Sequence, residues 1–159
     1  MADDVEELSM ARAVDERSMR RVGLAGHPYS SLFLPVPIVC FVGALLTDLA
    51  YANSEGNLQY LNFSSWLLTA GLIFCVVAGL LMIIDLARLP QLRTRFGWGA
   101  FGLLVIAAIV ELINALVHAR DGWTAVVPAG LALSVIGSVL IMSYGWLWHE
   151  SRYGVEVQA

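Results

Sequence analysis

Four long apolar stretches constrain this chain more than any other feature: residues 32–52, 65–87, 98–118 and 124–148. Each approaches the roughly 20 residues that an α-helix needs to cross about 30 Å of hydrocarbon. None alternates with a period of two, and an open sheet in lipid would leave backbone groups unpaired. All four therefore read as transmembrane helices. The expected fold is an all-α integral membrane four-helix bundle with antiparallel up-down topology.

Composition supports that reading. Only 14% of the residues are charged and 58% are hydrophobic, whereas a soluble domain carries roughly 25% charge. Lipid, rather than charge, is expected to cover much of the surface. The acids Asp3, Asp4, Glu6, Glu7, Asp15 and Glu16 crowd the start of the chain, and the net charge is −4. This balance excludes the basic footprint of a nucleic-acid partner. The opening residues lack the basic-then-apolar order of a secretory signal. Residues 1–26 read as a polar N-terminal tail, 27–150 as the membrane domain and 151–159 as a C-terminal tail.

The linkers suggest an orientation. Arg20 and Arg21 precede the first span, Arg88, Arg93 and Arg95 separate the second from the third, and Arg152 follows the fourth. The first-to-second linker has no arginine, and the third-to-fourth has only Arg120. Arginine-rich sides stay in the cytoplasm, so both termini are expected there. Trp66, Trp98, Trp123, Trp146 and Trp148 fall near span ends, the depth that indoles prefer. Proline suits a first helical turn. The first helix is therefore expected to start near Pro35, after an irregular or interfacial lead-in over 27–34, and Pro128 suits the start of the fourth.

Close helix approach in lipid needs small side chains. Ala70, Gly71, Ala78 and Gly79 form such a strip on the second span, and Gly130, Ser134 and Ser138 on the fourth. These strips serve packing within the chain or contact with a second copy. Cys40 and Cys75 lie in apolar runs without metal spacing and read as small packing residues.

Ionisable groups at membrane depth carry the most functional information. Glu111, Asn114 and His118 share one face of the third span at i, i+3 and i+7, and Asp48 is expected at a similar depth on the first. Together they form a candidate proton or cation site; the alternative is ordinary hydrogen bonding between helices. At the opposite end Asp85 is expected to pair with Arg88 at i+3, or with His27. A haem b needs two facing imidazoles at one depth. His118 and His149 lie at opposite ends of their spans, which leaves only His27 with His149. No phosphate loop, nucleophile elbow or zinc motif is present, so the sequence leans away from an enzyme and predicts no metal or cofactor.

Several segments resemble the bacterial domain-of-unknown-function 2231 membrane proteins. Gly26-His27-Pro28 followed by Phe33-Leu34-Pro35-Val36-Pro37-Ile38 is similar to the family's lead into its first helix, and Asp48-Leu49 to that helix's end. Arg120-Asp121-Gly122-Trp123 with Val127–Ser134 resembles the hairpin between the third and fourth helices of one subgroup, and Gly145-Trp146-Leu147 with Glu150 and Tyr153-Gly154-Val155 is similar to the family's terminus. Trp148-His149 departs from the pattern, which has small residues there. The resemblance implies a four-helix protein of the bacterial inner membrane with no established activity. By analogy with relatives beside redox modules it keeps a haem- or quinone-binding electron-transfer role open. The leading expectation is a non-enzymatic membrane subunit or structural partner, in contact with lipid and with a second copy or a complex partner.

Overall fold

The computed structural model describes residues 28–120 and 126–153, except for the side chains of residues 152 and 153. The tail over 1–26, His27, Trp123 and the last six residues lie outside the described residues. Every regular element among the described residues is helical: α1 (Ser30–Phe33), α2 (Pro35–Asn53), α3 (Leu58–Arg88), a 3₁₀ turn (Pro90–Leu92), α4 (Arg95–His118) and α5 (Ala129–Tyr153). Four helical segments are long and apolar enough to span a membrane.

Local chemistry sets the helix ends. Pro35 and Pro37 lack the N–H groups that would continue the helical ladder, and α2 starts at Pro35 as the sequence suggests. The lead-in is not irregular. Ser30–Phe33 form one helical turn, closed by the Leu34 N–H donating to Ser30 O at 3.0 Å. The α2–α3 connection turns at Glu55 and Gly56, which have φ values of 56° and 83°. Asn57 then caps α3 by accepting the Gln59 N–H at 3.0 Å. At the other end of α3, Arg93 donates to Leu86 O at 2.6 Å and to Ala87 O at 2.7 Å. It thus satisfies carbonyls left open where the helix stops. Thr94 caps α4 by accepting the Gly97 N–H at 3.1 Å. α5 begins one residue after Pro128, later than the span edge at 124 suggested, and residues 121–125 lie outside the described residues.

α2 packs most closely on α3, and α4 on α5; α2–α5 and α3–α4 contacts close the ring. Small residues permit the approach. A Cβ at Gly71 would run into the Phe41 ring, and Gly79 faces Leu104. Ala78 is buried and Ala70 is half-buried. Gly130, Ser134 and Ser138 are buried along α5, and Ser138 donates to Phe41 O on α2 at 3.4 Å. The α3–α4 contact is looser and leaves an apolar groove of about 500 Å³ beside Leu72, Val76, Leu80, Leu104, Val105 and Ile109.

The burial pattern is inverted relative to a soluble bundle. Asp48, Asp85, Glu111 and Asn114 are fully buried, while Val39, Leu46, Ile73, Leu80, Ile106, Ile113, Val135 and Met142 are exposed. Apolar rows of this extent would be untenable in water and are what hydrocarbon requires. Three hydroxyls outside the core are satisfied by their own helix, as contact with lipid favours. Ser65 donates to Leu61 O, Thr69 to Ser65 O and Ser143 to Val139 O, at 2.8–2.9 Å. The tryptophans divide. Trp66, Trp98 and Trp146 are exposed near helix ends, but Trp148 is fully buried in the core with Phe41, Met82, Ile141 and Tyr144. Trp148 thus lies near a helix end as expected but faces the bundle interior. It lies two residues from Trp146 and so points to a different helix face.

Candidate functional site

The ends of α2 and α4 and the first two turns of α3 and α5 meet at one end of the bundle. There Asp48 (α2), Ser64 (α3), Asn114 and His118 (α4) and Ser134 (α5) form one hydrogen-bonded cluster. Each helix presents its polar residue on its buried stripe. Ser64 continues the row Leu68, Gly71, Cys75, Ala78, Met82 on α3, and His118 ends the row Leu104, Ala107, Glu111, Asn114 on α4.

His118 sits at the centre. Its Nε2 lies 2.9 Å from Asp48 Oδ1 and 3.3 Å from Ser64 Oγ. Its Nδ1 lies 3.0 Å from the Asn114 backbone carbonyl one turn earlier. A carbonyl only accepts, so Nδ1 carries a hydrogen and donates it. The second Asp48 oxygen accepts from Ser134 Oγ at 2.5 Å. Ser134 in turn accepts from Asn114 Nδ2 at 2.8 Å, and the same Nδ2 donates to Glu111 Oε2 at 3.0 Å. Asn114 thus uses both amide hydrogens, one toward each carboxyl-bearing branch.

This arrangement corrects the simplest picture of two carboxylates meeting across the bundle. Asp48 and Glu111 share no hydrogen bond; Ser134 and Asn114 stand between them. Glu111 lies deeper, against Gly137, where a Cβ would occupy the position of its carboxyl group. Glu111 Oε1 and Asn114 Oδ1 are buried without a hydrogen-bond partner. Arg120, just beyond the end of α4, is exposed.

The cluster lacks the geometry of a Ser-His-Asp triad. In a Ser-His-Asp triad the imidazole uses Nδ1 for the carboxylate and Nε2 for the serine. Here Asp48 and Ser64 both face Nε2, and Nδ1 is occupied by the backbone. Among the described residues no three His, Cys, Asp or Glu side chains form a metal-holding group. The arrangement can hold four helices together and can hold a proton between Asp48 and His118.

The opposite end contains a different device. Asp85 accepts the Tyr29 N–H at 2.9 Å and the Ser30 N–H at 2.8 Å, so it anchors α1 to α3. Arg88 Nη1 is 3.9 Å from Asp85 Oδ1, and its guanidinium lies over the Tyr29 ring at 4.2 Å. The alternative partner His27 lies outside the described residues. His149 is exposed on α5 near this end.

Sequence reasoning found Asp48, Glu111, Asn114 and His118 but missed Ser64 and Gly137, and it read Ser134 as packing alone. Ser64 had one available signal: it falls seven residues before Gly71 on the same helical stripe. A profile described as "Predicted membrane protein (DUF2231)" matches residues 26–159. No curated protein and no solved structure matches the chain.

Proposed function

Given that the chain belongs to the DUF2231 family of predicted membrane proteins, we propose that it is a non-enzymatic structural or interaction subunit of a bacterial inner membrane. The observation that carries this reading is the closed cluster linking Asp48, Ser64, His118, Asn114 and Ser134, one or two residues from each long helix. Most of its polar atoms are spent on one another, Asn114 Oδ1 excepted. An enzyme would aim such groups at a substrate-sized space.

In this reading the helices run up and down in turn, with both termini cytoplasmic. Arg88, Arg93 and Arg95 supply the positive side at the Asp85 end, and the Asp48 end faces outward. The exposed apolar rows contact lipid and a second copy or a complex partner. An electron-transfer role has less support. The α3–α4 groove is lined by apolar side chains and the Cys75 thiol, so it offers a quinone no strong hydrogen-bond donor.

The test is purification in mild detergent, followed by absorption spectroscopy, mass measurement of the protein–detergent complex and cross-linking in native membranes. The expected result is a colourless protein with a reproducible assembly mass that matches the species cross-linked before extraction. A Soret band, an extractable stoichiometric quinone, or a monomer under every condition would contradict the reading.

A further inference from the structure

We propose that Asp48 and His118 together form a proton-binding site, with a single exchangeable proton between Oδ1 and Nε2. The argument is a count of hydrogens. Nδ1 must donate to the Asn114 carbonyl, 3.0 Å away. Without a further proton, Nε2 would be a bare lone pair facing a carboxylate oxygen at 2.9 Å, and two acceptors do not sit at hydrogen-bond distance. The close contact therefore exists only with a proton in it, whether the pair is written as imidazolium and carboxylate or as imidazole and carboxylic acid. Ser134 holds the carboxyl in place by donating to Oδ2. Ser64 has an alternative acceptor in Ala44 O at 3.5 Å, so its hydroxyl is free to turn between that carbonyl and Nε2.

The same count shows where the proton cannot go. Asn114 donates to both Ser134 and Glu111. An amide that donates on both sides does not relay a proton, so Glu111 is a neighbour of the site and not its next station. Titratable groups from every helix are accounted for. α2 supplies Asp48, with Tyr51 buried one turn on; α4 supplies Glu111 and His118; α3 supplies Tyr60, exposed one turn before Ser64, and Cys75, which is deeper and near Glu111; α5 offers only serine hydroxyls at this end. Glu55 and Arg120 are exposed. When the proton leaves to water, Asp48 remains a carboxylate and His118 a neutral imidazole with its hydrogen on Nδ1. The α2–α4 contact then becomes repulsive. The site stands whether or not the chain acts as a subunit.

The test uses the full chain with ¹⁵N-labelled histidine in lipid vesicles, studied by solid-state NMR across pH, with His118 identified as the signal lost in His118→Gln. Nδ1 should remain protonated throughout, while Nε2 passes from proton-bound to bare as pH rises. Glu111→Gln should leave that transition within the wild-type range. Asp48→Asn should displace it, because no carboxylate remains to share the proton and the introduced amide can donate to the bare Nε2. A bare Nδ1, an unchanged transition in Asp48→Asn, or no transition before the helices unfold would overturn the proposal. If Asp48→Asn fails to fold, the wild-type and Glu111→Gln spectra decide the matter alone.

Discussion

Asp48 and Asp85 are both fully buried aspartates in membrane-spanning helices, yet their partners differ in kind. Asp85 accepts two backbone N–H groups from Tyr29 and Ser30, with Arg88 at 3.9 Å. Backbone hydrogens do not titrate, so this carboxylate has permanent donors, and its influence is local to α1. Asp48 relies on side chains from two other helices, His118 and Ser134, one of which gains and loses protons. The first arrangement is a fixed anchor. The second is a conditional clamp whose strength depends on a proton. A buried charge is characterised less by its own burial than by whether its donors can leave.

Removing the clamp's titratable partner should have the largest effect. His118→Ala strands Asp48 with Ser134 alone. Stripping one partner from a buried pair should cost about 3 kcal/mol or more, read from unfolding in detergent or bicelles. A loss no greater than that of a surface substitution would mean that the two ends do not differ as described.

Gly137→Ala comes next, because its methyl would occupy the space of the Glu111 carboxyl. Overpacking of this kind should destabilise by about 2 kcal/mol. Combining it with Glu111→Ala should recover most of the loss, since the obstructing carboxyl is then gone. Absence of rescue in the same unfolding assay would place Glu111 elsewhere.

At the anchor, Asp85→Asn replaces one acceptor oxygen by a donor that faces an N–H. The expected cost is about 1.5 kcal/mol. It should appear as faster amide exchange over 29–34 with exchange at 114–118 unchanged. Spread of the effect to the Asp48 end would break the comparison. The smallest effect belongs to Arg88→Ala: a long, part-exposed ion pair contributes roughly 0–1 kcal/mol, and melting should barely move.

The four spans and the polar residues Asp48, Glu111, Asn114 and His118 were legible because charge and amide groups stand out inside apolar runs. Their spacing on α4 put three of them on one face. Ser64 and the polar role of Ser134 were not legible. A serine in a membrane helix commonly bonds to its own backbone, as Ser65 and Ser143 do, and only packing reveals which serines reach across. Position near a span end sets a tryptophan's depth but not its face, which is why Trp146 and Trp148 looked equivalent and are not. The helical lead-in α1 was hidden because Pro35 and Pro37 mark a boundary without specifying what precedes it. The anchoring of that turn by Asp85 is a contact over 55 and 56 residues that no local pattern encodes.

The claim that Asp48 and His118 act as one unit across α2 and α4 is tested most directly by a double-mutant cycle. Asp48→Ala, His118→Ala and the double variant would be compared in bicelles by equilibrium unfolding. Direct partners should be non-additive by about 1 kcal/mol or more, with the double variant less damaged than the sum of the singles. Additivity within about 0.5 kcal/mol would show that the two side chains are energetically independent and would contradict the account.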